Sequence, residues 1–596
     1  MRNHTIATIQ TIIRAGARTV AAGLAAAAAT AVALAGLTAP AMAIGHDDTA
    51  TITINNVEPG AVVTVHKVID VHYDFDANRP IQPQYTWVGG VAEWVKANHA
   101  DYVDDAGAVA ESYADLEDDP VADPANATDI ATFADGLSAA IAQGTATAEA
   151  AGEKTVGEQD DSAVFNLPMG GYLIHITNGT YVYRAVMASI APGLDDPKAG
   201  WQLKPVTIDA KRSLPGIDKS VNEQTDGHVS GRGSKGTGSD SAGIGETVTF
   251  DLRADVPVFP AKALGKRFVI ADRLSAGLTL NPDSIAVYGS AGAMSGQGSG
   301  QAAGPEDGGE TKLDPGKYGL TVADAKDLDG NPVSFLVDLG GDHYASVRGF
   351  KTVHVRYTAT VNKAAVIGPG GNHNEVRLQY SNNPYKAEGH RSDDDDVVVY
   401  AYGLRLLKTG ASGEPLTGAT FSLATADGQT LQVVEVDGVK GHYRMPEPGE
   451  TGGAVGAGDA GESGTPGGTV LVDELAVSSD PASPGRLTID GLDQGGYTLT
   501  ERQAPDGYVV ASTAVSFTIT DAGATGDGTG ELTGSVANEE KDYPGYAFGS
   551  VANFRGGLPN TGGVGTVMFV AVGLLLVSGG MILIATRIRR NGPARA

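Results

Sequence analysis

Lysine is an unusual residue to find in step with core-facing aliphatics, and this sequence places it so more than once. Ile217, Lys219 and Val221 alternate with Asp218 and Ser220, so an extended strand here turns the Lys219 amine inward. Asn374, Val376, Leu378 and Tyr380 share one parity against Glu375, Arg377 and Gln379, which aims an amide at the core. Phe268, Ile270 and Asp272 also share a parity, whereas Asp251 runs out of phase with Phe250 and Leu252, so Asp272 is the inward carboxylate. Later, Leu404, Leu406 and Lys408 alternate inward, as do Tyr497, Leu499 and Glu501. An unpaired charged lysine in a core is very costly. Beside a buried acid and a buried carboxamide it has another outcome. Desolvation lowers the amine's pKa and raises the acid's. The neutral amine can then attack the amide carbon while the acid polarises the carbonyl and shuttles protons as ammonia leaves. The product is a Lys–Asn isopeptide bond. The same residue types also make an ordinary hydrogen-bonded core trio, and parity alone leaves both readings open.

A second chemistry lies at the C-terminus. Leu558, Pro559, Asn560, Thr561 and Gly562 precede an uncharged stretch, Gly563 to Thr586, long enough to cross a bilayer as a helix. Arg587, Arg589, Arg590 and Arg595 follow and should keep the tail cytoplasmic. This order resembles the cell-wall sorting signal (LPXTG) of Gram-positive surface proteins. The resemblance implies that a sortase cysteine attacks the Thr561 carbonyl, expels Gly562 onward and passes the chain to an amine. At the other end, Arg2, His4, Arg14 and Arg18 precede an alanine-rich apolar stretch, Val20 to Leu37, and the small residues around Pro40 to Ala43 suit signal peptidase. Residues 1–43 read as a removed signal peptide, which makes the mature chain a secreted one.

Composition bounds what lies between. The chain has 596 residues, enough for several domains, and its 82 glycines with only 6% aromatics point to many strands joined by turns. A formal charge of −29 argues against nucleic acid as a partner and against retention by charge on anionic wall polymers. With no cysteine, a secreted chain has no disulfide to staple its modules. Metal-spaced histidines, a nucleophile-elbow pattern and a convincing carboxylate pair outside the buried clusters are all missing, so the chain does not read as an enzyme. No metal and no cofactor are expected.

Three modules follow in order. The first, 44–210, has strands at Thr51 to Asn55, Val62 to Val71, Ala163 to Phe165 and Tyr172 to Thr177 around a helical, acidic insertion from Ala92 through Ala150. Lys67 shares parity with Val63, Val65, Ile69 and Val71, but no carboxylate or asparagine falls near it, which favours a snorkelling surface lysine over a crosslink. The second, 211–400, contains the Lys219, Asp272 and Asn374 set. Its Gly231 to Gly245 and Gly289 to Gly309 runs read as surface loops. Asp393 to Asp396 reads as a solvated strand start rather than a cation loop. The third, 401–556, holds Lys408, Pro415 to Phe421, Gly496 to Glu501 and Ala504 to Tyr508, with a loop at Gly452 to Gly468. Residues 557–596 are the sorting signal with its membrane helix.

The stretch Trp201 to Val221 resembles the backbone pilins of Gram-positive bacteria, in which a Trp and an alternating strand lead to a Tyr-Pro-Lys triad. By that resemblance Lys211 is the amine that joins Thr561 of the next subunit. Asp209 and Ala210 stand where Tyr and Pro are usual, which leaves Lys204 and Lys198 as competitors. The resemblance also favours the bond at Lys219, because pilin middle domains pair a lysine soon after the pilin lysine with an Asn before a Tyr-Ser-Asn, here Tyr380, Ser381 and Asn382. The third module resembles the Cna B-type, SpaA-like domain, whose E box matches Tyr497 to Glu501. Glu501 would then be the proton shuttle for Lys408, and the family's habit of a last-strand partner favours Asn553 over Asn538.

These readings imply an all-β chain of tandem Ig-like, Cna B-type sandwiches. The expected function is the backbone subunit of a covalent fimbria, anchored to peptidoglycan at the cell surface and supporting adhesion. Its partners would be a sortase, other copies of itself and minor pilins, with a host glycan or matrix protein as ligand. The alternative is a monomeric wall-anchored adhesin, or a tip or basal subunit, which needs the sorting signal but not Lys211.

Overall fold

The computed structural model describes residues 43–555 except 117–128, 195–199, 224–228, 232–234, 237, 261, 292–308, 437, 451–469, 512–513, 521–530 and 535–543. The signal peptide, the sorting motif with its apolar stretch, Lys198, Asn538 and the Gly452 to Gly468 loop therefore lie outside the described residues. Among those described, no helix is long and apolar enough to cross a membrane.

Each module closes a core between two twisted sheets. In the first, a three-stranded sheet in the order Val206–Asp209, Ala50–Asn55, Ser162–Leu167 faces a five-stranded one built around Val62–Asp74 and Gly170–Thr177. Ala50–Asn55 shows why: its burial alternates residue by residue, so Ile52 and Ile54 are buried while Thr51 and Thr53 reach the surface. Among the described residues, the insertion is helical in part. It comprises helices Gly89–Asn98, Glu111–Ala114 and Asp129–Ala142, and the Ala150–Thr155 strand returns the chain to the sheet. Lys67 is turned out by a register shift between Lys67 and Ile69, which buries Val68 in its place and leaves the ammonium paired with Asp70 at 2.8 Å.

The middle module pairs two six-stranded sheets. Ile217–Glu223, Thr247–Asp255 and Thr352–Val361 are consecutive neighbours in one. Arg391–Tyr400, Asn372–Tyr380 and Phe268–Leu274 are consecutive in the other. Phe250, Phe268, Phe335 and Tyr357 fill the space between. The expected loop from Gly231 to Gly245 is in part a strand: Gly238–Ser241 is fully buried and runs parallel to Val397–Tyr400. Small residues permit this, since a Cβ on Gly238 would stand 2.7 Å from both the Gly231 backbone and the Val397 side chain.

The acidic run also departs from the solvated strand start. Asp395 is buried and accepts the Lys219 N–H at 2.6 Å, and Asp393 accepts the Ile217 N–H at 2.9 Å. These carboxylates tie the incoming strand to the outgoing one.

In the C-terminal module a six-stranded sheet faces a five-stranded one. The first strand, Tyr402–Gly410, lies parallel to the last, Tyr546–Asn553, with Lys408 opposite Val551 and Gly410 opposite Asn553. Gly495–Gln503 carries the E box on the facing sheet.

Candidate functional site: two buried lysine–acid–amide clusters

In the middle module the expected trio meets. Lys219, Asp272 and Asn374 each have 0% exposure. Lys219 reaches across from one sheet to the other, and its Nζ lies 2.5 Å from Asp272 Oδ2. Asn374 stands one strand over from Asp272, the two strands being registered Leu274 to Asn374 and Asp272 to Val376. Between acid and amide sits a fourth group, Tyr357, whose hydroxyl donates to Asp272 Oδ1 at 2.8 Å and accepts from Asn374 Nδ2 at 2.6 Å. Sequence reading did not single out Tyr357. Its signal was parity with Val353 and Val355 on an alternating strand, which marks a core aromatic and says nothing of its hydroxyl. Asn374 Oδ1 is buried with no hydrogen-bond partner.

Burial drives the electrostatics. Desolvation pulls the Lys219 ammonium below its ordinary value, with Asp272 opposing, and pushes the Asp272 carboxyl above its own, with Lys219 opposing. The Tyr357 phenol is raised well above its ordinary range by desolvation and then by the neighbouring carboxylate. A proton shared between amine and acid in a low-dielectric pocket resolves both shifts when it moves to the acid. In that state Lys219 carries a neutral amine.

The C-terminal module repeats the parts in a different layout. Lys408 is fully buried, and Glu501 and Asn553 nearly so. Lys408 Nζ donates to the Thr409 and Val551 carbonyls at 3.2 and 3.1 Å and stands 3.7 Å from Glu501 Oε1, an ion pair rather than a hydrogen bond. Asn553 Nδ2 donates to Glu501 Oε2 at 3.1 Å and to the Val509 carbonyl at 2.8 Å. The Ala511 N–H holds that same carboxylate oxygen at 2.5 Å. Desolvation lowers the Lys408 pKa here too. Asn553 Oδ1 and Glu501 Oε1 are buried without hydrogen-bond partners. Both modules thus leave the asparagine carbonyl unsatisfied in the core, an energetically costly arrangement. Among the described residues no group of side chains is arranged to hold a metal ion.

At the junction of the first two modules, Lys211 lies between Val206–Asp209 and the short strand Arg212–Ser213, with its side chain exposed; Lys204 is exposed as well.

Residues 464–531 match a family model described as SpaA, a prealbumin-like fold domain. Over 89% of this chain and 93% of the relative, the sequence is 24% identical to the trypsin-resistant surface T6 protein of Streptococcus pyogenes serotype M6. The fold is similar to that of the T6 backbone pilin of the same serotype, a modular three-domain structure, with a TM-score of 0.51 and 17% identity over 86% of this chain and all of that one. The full-length major pilin SpaD of Corynebacterium diphtheriae aligns over 86% of this chain and 99% of its own, at 15% identity and a TM-score of 0.44. This chain is thus similar in sequence along most of its length to the surface T6 protein and similar in fold to the T6 backbone pilin, and residues 464–531 match the SpaA, prealbumin-like fold domain.

Proposed function

We propose that this chain is the structural backbone subunit of a covalent pilus on a Gram-positive surface, with a sortase linking its copies and with modules locked by Lys219–Asn374 and Lys408–Asn553 isopeptide bonds. The observation that carries the reading is the burial of lysine, acid and asparagine together in two successive modules, each lysine on its module's first long strand. In the middle module Lys219 first gives a proton to Asp272 Oδ2, and the neutral amine adds to Asn374 Cγ. One further amine proton reaches the leaving nitrogen. Tyr357, hydrogen-bonded to both acid and amide, supports a path for it: turning its hydroxyl, it passes its proton to Asn374 Nδ2 and is reprotonated by the Asp272 carboxyl, whose carboxylate then takes the second proton of the adduct's Nζ. The C–N bond to Nδ2 breaks, ammonia departs and the Nζ–Cγ amide remains. In the C-terminal module Glu501 serves Lys408 and Asn553 alike.

Between subunits, a sortase cysteine displaces the Gly562 amine from the Thr561 carbonyl, and the Lys211 amine displaces the thiol, so that one amide is broken and one is formed. The signal peptide delivers the chain across the membrane and the C-terminal helix holds it for the sortase. The pilus then ends on peptidoglycan, with minor pilins and a host glycan or matrix ligand as further partners. The chain turns over no substrate; the chemistry is its own maturation.

Two measurements test this. Wall extracts of the producing cell should give a ladder of very large species in detergent that collapses to monomer with Lys211→Ala and persists with Lys204→Ala. A ladder that survives Lys211→Ala rejects the acceptor, and monomers alone in the wild type favour the adhesin. Intact mass of the mature chain should fall short by two ammonia molecules, with crosslinked peptides at both lysines.

A further inference from the structure

The 178–185 segment of the first module is gripped from two sides. On one side, Val182–Tyr183 pairs antiparallel with Arg212–Ser213, and the Arg184 N–H donates to the Lys211 carbonyl at 3.1 Å. The Arg212 guanidinium lies 3.9 Å over the Tyr181 ring. On the other side stands the middle module's Tyr380 to Arg391 stretch. The Tyr380 hydroxyl donates to Thr180 O at 2.8 Å, Asn382 Nδ2 to Gly179 O at 2.6 Å and Arg391 Nε to Gly179 O at 3.2 Å.

The deepest contact is Tyr385. Its ring is buried in the first module's helical cluster and stacked on His175 at 5.3 Å. Its hydroxyl accepts the Ala185 N–H at 3.0 Å and donates to Asp135 Oδ1 at 2.8 Å. Asp135 is fully buried on the Asp129–Ala142 helix of the insertion, and its other oxygen takes Arg184 at 2.6 Å. From Tyr385 to Lys211 the path is therefore short: Ala185, Arg184, then one backbone hydrogen bond. The residue before Lys211 is fixed as well, since the Ala210 N–H donates to Asn55 O and Asn56 Nδ2 to Ala210 O, both at 2.9 Å.

We propose that Asp135 and Tyr385 are positioning residues for the acceptor lysine, locking the first module onto the second so that Lys211 is presented from a fixed backbone to the incoming thioester. The inference rests on Lys211 as the acceptor. It also gives the acidic insertion a purpose, because its helix supplies the carboxylate of the lock. Transfer to an amine depends steeply on its placement, and displacements on the order of 1 Å cost large factors in rate.

The test uses the full-length chain in the producing cell as wild type, Tyr385→Phe, Asp135→Asn and Lys211→Ala, pulse-labelled and followed in two readouts. One is loss of the residues after Thr561 from the monomer, which reports the donor step. The other is conversion of monomer into ladder, which reports the acceptor step. Tyr385→Phe keeps the ring and deletes one oxygen, and it should slow ladder growth about tenfold with tail removal unchanged. Asp135→Asn should act in the same direction, and hydrogen exchange at the Arg184 amide of the secreted monomer should speed up in both. Should Asp135→Asn fail to be secreted, Tyr385→Phe decides alone. Ladder growth at the wild-type rate in Tyr385→Phe, with Lys211→Ala giving none, overturns the lock and leaves the acceptor standing. Slowing of tail removal in parallel with ladder growth also overturns it, since that is a general folding defect. A normal ladder in Lys211→Ala removes the acceptor and the lock together.

Discussion

The two buried clusters use the same residue types to join different things. In the middle module Lys219 and Tyr357 come from one sheet and Asp272 and Asn374 from the other, so the proposed bond would run through the core and staple the sheets face to face. In the C-terminal module Lys408 and Asn553 sit on adjacent parallel strands of one sheet, and only the acid comes from the opposite side. The proposed bond there would join the first strand directly to the last. With the proposed bonds formed, both layouts would shorten the path that a pulling force takes, because load entering at the lysine strand would leave through the crosslink and spare most of the module. The difference lies in what each lysine has besides its acid. Lys408 also donates to two backbone carbonyls, whereas Lys219 is held by a carboxylate at 2.5 Å.

Removing the acid from each module should therefore have unequal costs. Asp272→Ala and Glu501→Ala should each abolish only their own bond, leaving the mature chain one ammonia heavier than its substitution alone accounts for. Loss of a link closing a loop of about 150 residues removes roughly 5 kcal/mol on the chain-entropy account. Asp272→Ala should cost roughly 3–5 kcal/mol more, because it leaves a buried ammonium without its countercharge. Denaturant unfolding of the two full-length variants, followed module by module through hydrogen exchange, measures the gap. Equal losses would mean that the two lysines are equally well supported and that the layouts do not matter.

Parity made both trios legible. Once Lys219 follows Ile217 and precedes Val221, the strand leaves its amine little choice, and the same holds for Asn374, Asp272, Lys408 and Glu501. What parity cannot show is a change of register or a partner on a distant strand. Lys67 followed the same rule and was turned outward by a bulge. Gly238–Ser241 lacks the branched residues of a strand, and its close approach to Gly231 and Val397 is possible because Gly238 carries no Cβ. Tyr357 looked like one more core aromatic, and Asp135 and Tyr385 lie far apart in sequence on elements with no shared pattern. The modules and their reactive groups were thus local information, while the relay and the joint between modules arise only from tertiary packing.

The relay is the next distinction to sharpen. Among the described residues, only the middle module places a phenol between acid and amide. Tyr357→Phe keeps the ring that packs on Phe250 and Phe335 while removing the hydroxyl. Formation of the Lys219–Asn374 bond should slow about tenfold, equivalent to roughly 1.4 kcal/mol in barrier. The Lys408–Asn553 bond should form at its usual rate. The fraction of chains short of one ammonia, sampled by intact mass at intervals after synthesis, reads both at once. Unchanged maturation of the middle module would make Tyr357 a packing residue alone.

The smallest effect concerns pH, in a chain that cannot form the middle bond. In Asn374→Ala both Lys219 and Asp272 remain titratable. Unfolded, they hold one proton between them from the ordinary carboxyl value of 3.8 up to the ordinary amine value of 10.5. Folded, burial lowers the amine and raises the acid, so where the two shifts overlap the acid holds the proton that the amine has released, and the pair again holds one. Equal proton counts mean no slope of stability with pH across that window. Unfolding of the middle module should thus show a plateau attributable to the pair, measured as the difference between Asn374→Ala and a chain that also carries Lys219→Met and Asp272→Leu. A slope near 1.4 kcal/mol per pH unit inside the plateau would mean that amine and acid titrate separately. The shared proton that starts the chemistry would then not exist.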